Sequence, residues 1–223
     1  MPDFAWQFLH RTSQLATRTR LNLTVEGADH VPATGPVLIA ARHVHHLHDG
    51  VALLSVIPRP MSIIVGLDWA NSGLTGTAMR ALCRSAHWPY INRTDPAQPV
   101  DPAESRQLLR AAMKETLTLL SDGRVVVIFP EAYPNIDPTS TPKQGPDDWL
   151  PFEPGVVRIA ALAARSGIAA PIVPVGFTYA ASNEREIAIR FGTPIQVDAA
   201  ADVGRVLAEI EAAVRGLSQA AAD

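Results

Sequence analysis

The chain has 223 residues, 47% of them hydrophobic and 18% charged, with a formal net charge of −3. Those proportions suit one α/β domain with a sizeable core and exclude global disorder; with no long basic run they give no reason to expect nucleic acid as a partner. Cys83 is the single cysteine, so neither an intrachain disulfide framework nor a cysteine-based zinc site can form, which fits a reducing, cytoplasmic compartment.

The first twenty residues, MPDFAWQFLHRTSQLATRTR, lack the continuous apolar core of a signal peptide. Residues 1–20 read as an amphipathic helix, with Phe4, Phe8 and Leu15 near Arg11, Arg18 and Arg20. It is either an ordinary packed helix or one that contacts an anionic membrane surface, which would place the protein peripherally on the inner face of the cell membrane. No apolar run reaches the roughly 18–20 residues of a spanning helix. The longest apolar region, Gly155 to Ala181, is broken by Arg158, Arg165 and prolines.

Residues 21–223 read as one domain. Leu21–Val25 alternates as a strand does, and Pro36–Ala41 is a short apolar run. A helix capped near Asp49 covers Val51–Ile57, Ser62–Val65 is a strand, and Thr75–Arg84 is helical. The stretch DPAESRQLLRAAMKETLTLLSDG opens a helix with Asp101 as N-cap, Pro102 in the first turn and Glu104 in the capping-box position. Its apolar face carries Leu108, Leu109, Ala112 and Leu120, and Gly123 ends it. Val125–Phe129 is a β-branched run of the kind buried on both faces of a sheet. A proline-rich loop runs from Tyr133 to Pro154, long enough to be a functional cover. A helix at Val156–Ala164, strands at Ile172–Val175 and Ile187–Phe191, and a helix through Val203, Val206, Leu207, Ile210 and Val214 complete the chain. Strands alternate with helices, so the fold class is α/β, a single domain with a largely parallel central sheet flanked by helices. Pro174, inside a strand-like run, suggests an edge or a bend.

Three stretches carry chemistry. In RHVHHLHDG, His43, His45, His46, His48 and Asp49 crowd into seven residues, directly after an apolar strand. A histidine beside an aspartate there is the usual arrangement of a general base and its orienting carboxylate. In VVVIFPEAYP, Glu131 follows the end of a buried strand, where α/β proteins place their sites. In PFEPGVVRIA, Gly155 opens a helix whose N–H groups suit an anion.

Taken together, these blocks resemble the glycerolipid acyltransferase superfamily, the lysophosphatidic acid acyltransferases and their relatives. PVLIAARH…DG is similar to the family's strand-to-histidine block, YINRTD with Arg93 to its arginine block, IFPEAYP to its Phe-Pro-Glu-Gly-Thr-Arg block with PFEPGVVRIA continuing it, and APIVPVGF to its proline strand. The likeness runs from about Pro36 to Phe177. It implies a glycerol-3-phosphate acyltransferase-like fold with no bound cofactor or metal. The implied reaction is acyl transfer from acyl-CoA or acyl carrier protein to a hydroxyl of a lipid acceptor. His43 is then the base, Asp49 its partner, and Arg93, Glu131, Arg158 and Gly155 bind substrate.

Two departures matter. Five residues, not the family's four, separate His43 from Asp49. Strand register favours His43, while His45 and His46 lie four and three positions before Asp49 and would share its face on a helix. Ala132, Tyr133 and Pro134 replace the family's Gly, Thr and Arg, which removes a bidentate phosphate partner. Trp69, Trp88 and Tyr90 are either acyl-channel aromatics or ordinary core. Two rival readings remain. The stretch HVHHLHD is similar to a metallo-β-lactamase-type motif with Leu47 in place of an aspartate, which would make a metal-dependent hydrolase drawing further ligands from His10, His30 or His87. The altered third block would also suit a non-catalytic lipid-binding protein on the same fold.

Overall fold

A computed structural model describes residues 3–67, 73–92, 101–137, 141–145, 147–180 and 183–219. The elements follow in chain order as α1 (Phe4–Arg20), β1 (Asn22–Glu26), β2 (Val37–Ala41), α2 (His48–Val56), β3 (Met61–Ile63), β4 (Val65–Gly66), α3 (Gly73–Ala86), β5 (Tyr90–Ile91), α4 (Pro102–Ser121), β6 (Val125–Ile128), α5 (Gly155–Arg165), β7 (Ile172–Ala180), β8 (Asn183–Phe191) and α6 (Val203–Leu217). Among the described residues, six strands form the main sheet in the order β1-β8-β7-β2-β6-β3, and β4 pairs with β5. Every pairing in the main sheet is parallel except β7 with β8. The expected α/β domain with a largely parallel sheet is therefore the fold observed.

Alternate strand residues supply two cores, because successive side chains point to opposite faces of a sheet. Val37, Ile39, Ala41, Val125, Val127, Val173, Val175 and Phe177 pack on one face with Leu53 and Leu54 of α2. Leu38, Ala40, Val126 and Ile172 pack on the other with Leu119 and Leu120 of α4, Val156 and Ile159 of α5, and Ile210 and Val214 of α6. Residues Val37–Ala41 are completely buried, as an apolar run without alternation leads one to expect.

Pro174 lies inside a central strand, not at an edge. Its neighbour Val175 accepts from Arg42 N–H on the β2 side, so the absent donor of Pro174 faces the other way. There its carbonyl accepts from Gly192 N–H, one residue past the end of β8, so the missing donor falls where β8 has already ended. The expected Ser62–Val65 strand divides in two: Ile64 N–H still bonds to Val127 O, but Val65 N–H turns to Pro89 O. Asp101 caps α4 through Ala103 N–H, and Leu109 is half exposed instead of joining the core.

α1 lies against α2. Asp3 caps it at Trp6 N–H and pairs with Arg124 at 2.6 Å, and His10 Nδ1 bonds to Leu54 O at 2.6 Å. The opposite face is open, with Phe4 74%, Phe8 68% and Leu15 63% exposed. Among the described residues no helix is long and apolar enough to cross a membrane.

Candidate functional site

The site forms where β2 and β6 end side by side. β2 stops at Ala41 and delivers His43; β6 stops at Ile128 and delivers Glu131. The carboxyl ends of parallel strands are where this class of fold gathers its functional groups. The chain between β2 and α2 is not helical. It is strapped to the loop after β6, with Ile136 N–H bonded to Val44 O and His46 N–H to Ile136 O. α2 begins only at His48, which puts Asp49 in its first turn and completely buried.

Asp49 turns back toward the histidine loop. Its Oδ2 accepts from His43 Nδ1–H at 3.0 Å, Val44 N–H at 2.7 Å and His45 N–H at 3.0 Å; its Oδ1 accepts from Tyr179 O–H at 2.6 Å. The His43 ring lies on Phe129, centroids 4.1 Å apart, and its side chain is 15% exposed. Its Nδ1 is committed to Asp49, and Nε2 has no protein partner among the described residues. A His–Asp pair of this kind fixes the tautomer that leaves Nε2 able to accept a proton.

His45 and His46 do not reach the Asp49 side chain with their rings. His45 Nδ1 accepts the N–H groups of Leu47 and His48, both at 3.2 Å, and so caps α2. A ring that accepts two backbone donors is neutral. Burial pulls its pKa down to about 4, helped by the neighbouring His48 and His46. His46, His45 and His48 stack face to face, with His45–His48 centroids 3.8 Å apart and nearly parallel. Stacked rings do not converge on a point, and among the described residues no group of three His, Cys, Asp or Glu side chains could hold a metal ion. His30, offered above as a further ligand, is bonded through Nδ1 to Phe191 O, as His10 is to Leu54 O.

Glu131 does not project into open space. It is 2% exposed, and its Oε1 accepts from His43 N–H at 3.2 Å. Its Oε2 accepts from Leu150 N–H at 3.2 Å and from Lys143 Nζ at 2.7 Å. Lys143 also donates to His43 O at 3.1 Å and Asn135 Oδ1 at 3.0 Å. Desolvation lowers the Lys143 pKa, opposed by Glu131. The pair thus grips the His43 peptide from both its N–H and its C=O. Described residues of the proline-rich stretch are tied down at the same place. Asn135 donates to Gly145 O and Asp148 O, and the guanidiniums of Arg42 and Arg215 each lie over the Trp149 ring, at 4.2 and 4.5 Å from its centroid.

His43 lies on the wall of a cavity of about 810 Å³, within the roughly 300–1,000 Å³ range of ligand sites. The rest of the wall is mostly apolar: Leu54, Ile63, Val65, Met79, Trp88 and Phe129 are among its members. α4 contributes Leu109, Ala112, Met113 and Thr116, one helical face, and α1 contributes Leu9, Thr12, Ser13 and Ala16. A base on the wall of a mostly apolar cavity of this volume suits a reaction on a molecule with a hydrocarbon chain.

A sequence-family model described as Acyltransferase matches residues 22–178. The chain belongs to the acyltransferase family. It also superposes on the crystal structure of the 1-acyl-sn-glycerophosphate (LPA) acyltransferase PlsC from Thermotoga maritima, with a TM-score of 0.65 and 15% sequence identity, over 95% of this chain and 78% of that one. No curated protein matches. The glycerolipid acyltransferase resemblance read from the four blocks is thereby borne out, and so is the fold.

Within this acyltransferase the expected site residues fall into four groups. His43, Asp49 and Glu131 come together, though Glu131 faces the protein, not the cavity. Gly155 lies on the cavity wall and opens α5 without a side-chain cap, but Glu153 stands on the same wall and offsets the positive end of the helix. Arg158 lies on the exposed face of α5 and not on the cavity wall, while Val156, Val157, Ile159 and Ala160 turn inward. Trp88 lines the cavity and Tyr90 does not figure in its wall. Arg93 and Trp69 lie outside the described residues. Ala132, where the family pattern has a glycine, adopts a left-handed backbone at φ 64°, a conformation that glycine takes most readily. Lys143 and Tyr179 went unread in the sequence. The signal for Tyr179 was the period-two run Val173, Val175, Phe177, Tyr179, which puts it on the face of Asp49. For Lys143 it was a lysine isolated in a proline-rich loop, one of two in the chain with Lys114.

Proposed function

We propose that this acyltransferase moves a fatty acyl group from an acyl thioester, acyl-CoA or acyl carrier protein, to the hydroxyl of a lysophospholipid or similar lipid acceptor, with His43 as general base. The observation that carries the proposal is the His43–Asp49 pair, 3.0 Å apart, with His43 on the wall of the apolar cavity. His43 Nε2 takes the acceptor's hydroxyl proton as the oxygen attacks the thioester carbonyl. Asp49, bonded to Nδ1–H, holds the ring and balances the imidazolium. The tetrahedral intermediate collapses with cleavage of the C–S bond, and the imidazolium returns its proton to the thiolate. Glu131 and Lys143 hold the His43 backbone, a positioning role in place of the acceptor contact expected from sequence. The acyl chain lies along α4.

The test is thioester consumption with a panel of neutral and phosphorylated lysolipids, run on the wild type and on Ala112→Trp. Transfer to at least one acceptor is expected. The tryptophan, filling the chamber along α4, should shift preference to acyl chains several carbons shorter with transfer retained. Binding of lipid with no thioester consumption would favour the non-catalytic reading. An unchanged chain-length profile in Ala112→Trp would remove the cavity as the acyl site.

The acceptor and acyl chain are membrane molecules, and α1 suits contact with a bilayer. Phe4, Phe8, Arg11, Leu15 and Arg18 are all exposed, and their spacing of four, three, four and three puts them on one stripe. Apolar anchors interleaved with arginines fit an anionic lipid surface. Leu47 and Leu109, both exposed, lie on the cavity wall. Phe4→Ser/Phe8→Ser should weaken binding to phosphatidylglycerol-containing vesicles by at least about tenfold, since each buried Phe contributes roughly 1.5–3 kcal/mol. Equal partitioning of variant and wild type in a flotation assay would rule α1 out as the contact.

A further inference from the structure

Tyr179 is the fourth donor to Asp49, and no block of the family pattern includes it. β7 pairs with β2 only as far as Val175 opposite Ala41, then continues to Ala180 beside the histidine loop. That overhang carries Tyr179 on the same strand face as Val173, Val175 and Phe177. Its O–H donates to Asp49 Oδ1 at 2.6 Å. The other carboxylate oxygen serves His43, Val44 and His45.

We propose that Tyr179 is a positioning residue for the transfer step, clamping Asp49 from the side opposite His43 and setting how strongly the carboxylate attracts the proton on that imidazole. This rests on the reading of His43 as the base. A carboxylate that rotated about its Cβ–Cγ bond would lose the Nδ1 contact; a bond on each oxygen prevents rotation. The hydroxyl is also a permanent donor. Burial raises the phenol pKa far above its usual value, and the charge and hydrogen bond of Asp49 raise it further, as does Glu184. The titratable and charged neighbours are His45 and His48, whose rings lie 6.4 and 6.5 Å from the Tyr179 ring, and Glu184 of β8, 4.0 Å from His45 Nε2. His46 stacks on His45, and Glu131 holds the His43 N–H. Arg42 and Lys143 act on Asp49 through space. Each is unchanged by removing a single hydroxyl.

The sign follows from the charge. Each hydrogen bond to Asp49 disperses its negative charge and weakens its hold on the imidazolium. Tyr179→Phe removes one donor and keeps the ring. The acid limb of kcat/KM, followed between about pH 5 and pH 9, should move up by about 0.5–1 unit. The kcat should fall about tenfold, with KM for the thioester within about twofold. A fluorotyrosine placed at 179 is a stronger donor of nearly the same shape and should move the acid limb down. The imidazole titration of His43 by NMR, assigned from its loss in His43→Gln, should shift in the same two directions. A limb and a His43 midpoint that stay put in both variants would overturn the role of Tyr179. A wild type that transfers no acyl group would overturn the proposed reaction, and the NMR titration would still decide on Tyr179.

Discussion

His43→Ala should lower acyl transfer by about 10²–10⁴-fold, the usual contribution of a positioned general base, while the protein stays folded. The fold survives because Asp49 keeps three donors, Val44 N–H, His45 N–H and Tyr179 O–H. His45→Ala should do the reverse. It removes the acceptor for Leu47 and His48 N–H, so it costs about 0.5–2 kcal/mol of stability as loss of a helix cap does, and it leaves the base in place. Measuring kcat and the urea midpoint for both variants separates the two roles. Near-normal turnover by His43→Ala would remove it from the mechanism; a loss confined to His45→Ala, with stability intact, would transfer the role to that ring.

The sequence made the two histidines hard to separate for a physical reason. Spacings of three and four bring residues together only if the segment is helical, and residues 43–47 are not. Their path is fixed by Ile136, far along the chain, which bonds to Val44 O and His46 N–H. The strand before them was legible because an unbroken apolar run is buried on both sides whatever its partners. Position at the end of β6 was legible for Glu131, but its direction depends on Lys143, in a loop with no periodicity to read. Arg158 shows the opposite case. The phase of Val156, Val157, Ile159 and Ala160 around α5 already turns its side chain outward. Pro174 fits a central strand because its missing donor faces the side where β8 has ended, and that side is set by register, which a proline alone does not reveal.

Lys143→Met should destabilise the protein by about 3–5 kcal/mol, or roughly 6–20 °C in Tm for a domain of this size. The magnitude follows from where the charge sits. The Lys143 and Glu131 side chains are both fully buried and 2.7 Å apart, so loss of the cation leaves a carboxylate out of water with two peptide donors among the described residues, His43 N–H and Leu150 N–H. Removing both charges together is a different matter. Lys143→Met/Glu131→Gln abolishes the unpaired ion and keeps an amide oxygen for a peptide donor, so most of the lost Tm should return. Activity should not return with it, because His43 O still lacks its 3.1 Å contact with Lys143 and the catalytic loop is held less firmly. If Glu131 instead bound the acceptor, Lys143→Met would raise KM for the acceptor and leave Tm unchanged. A thermal melt and an acceptor titration on the single and double variants therefore decide whether this buried pair is a clamp on the base or part of the substrate site.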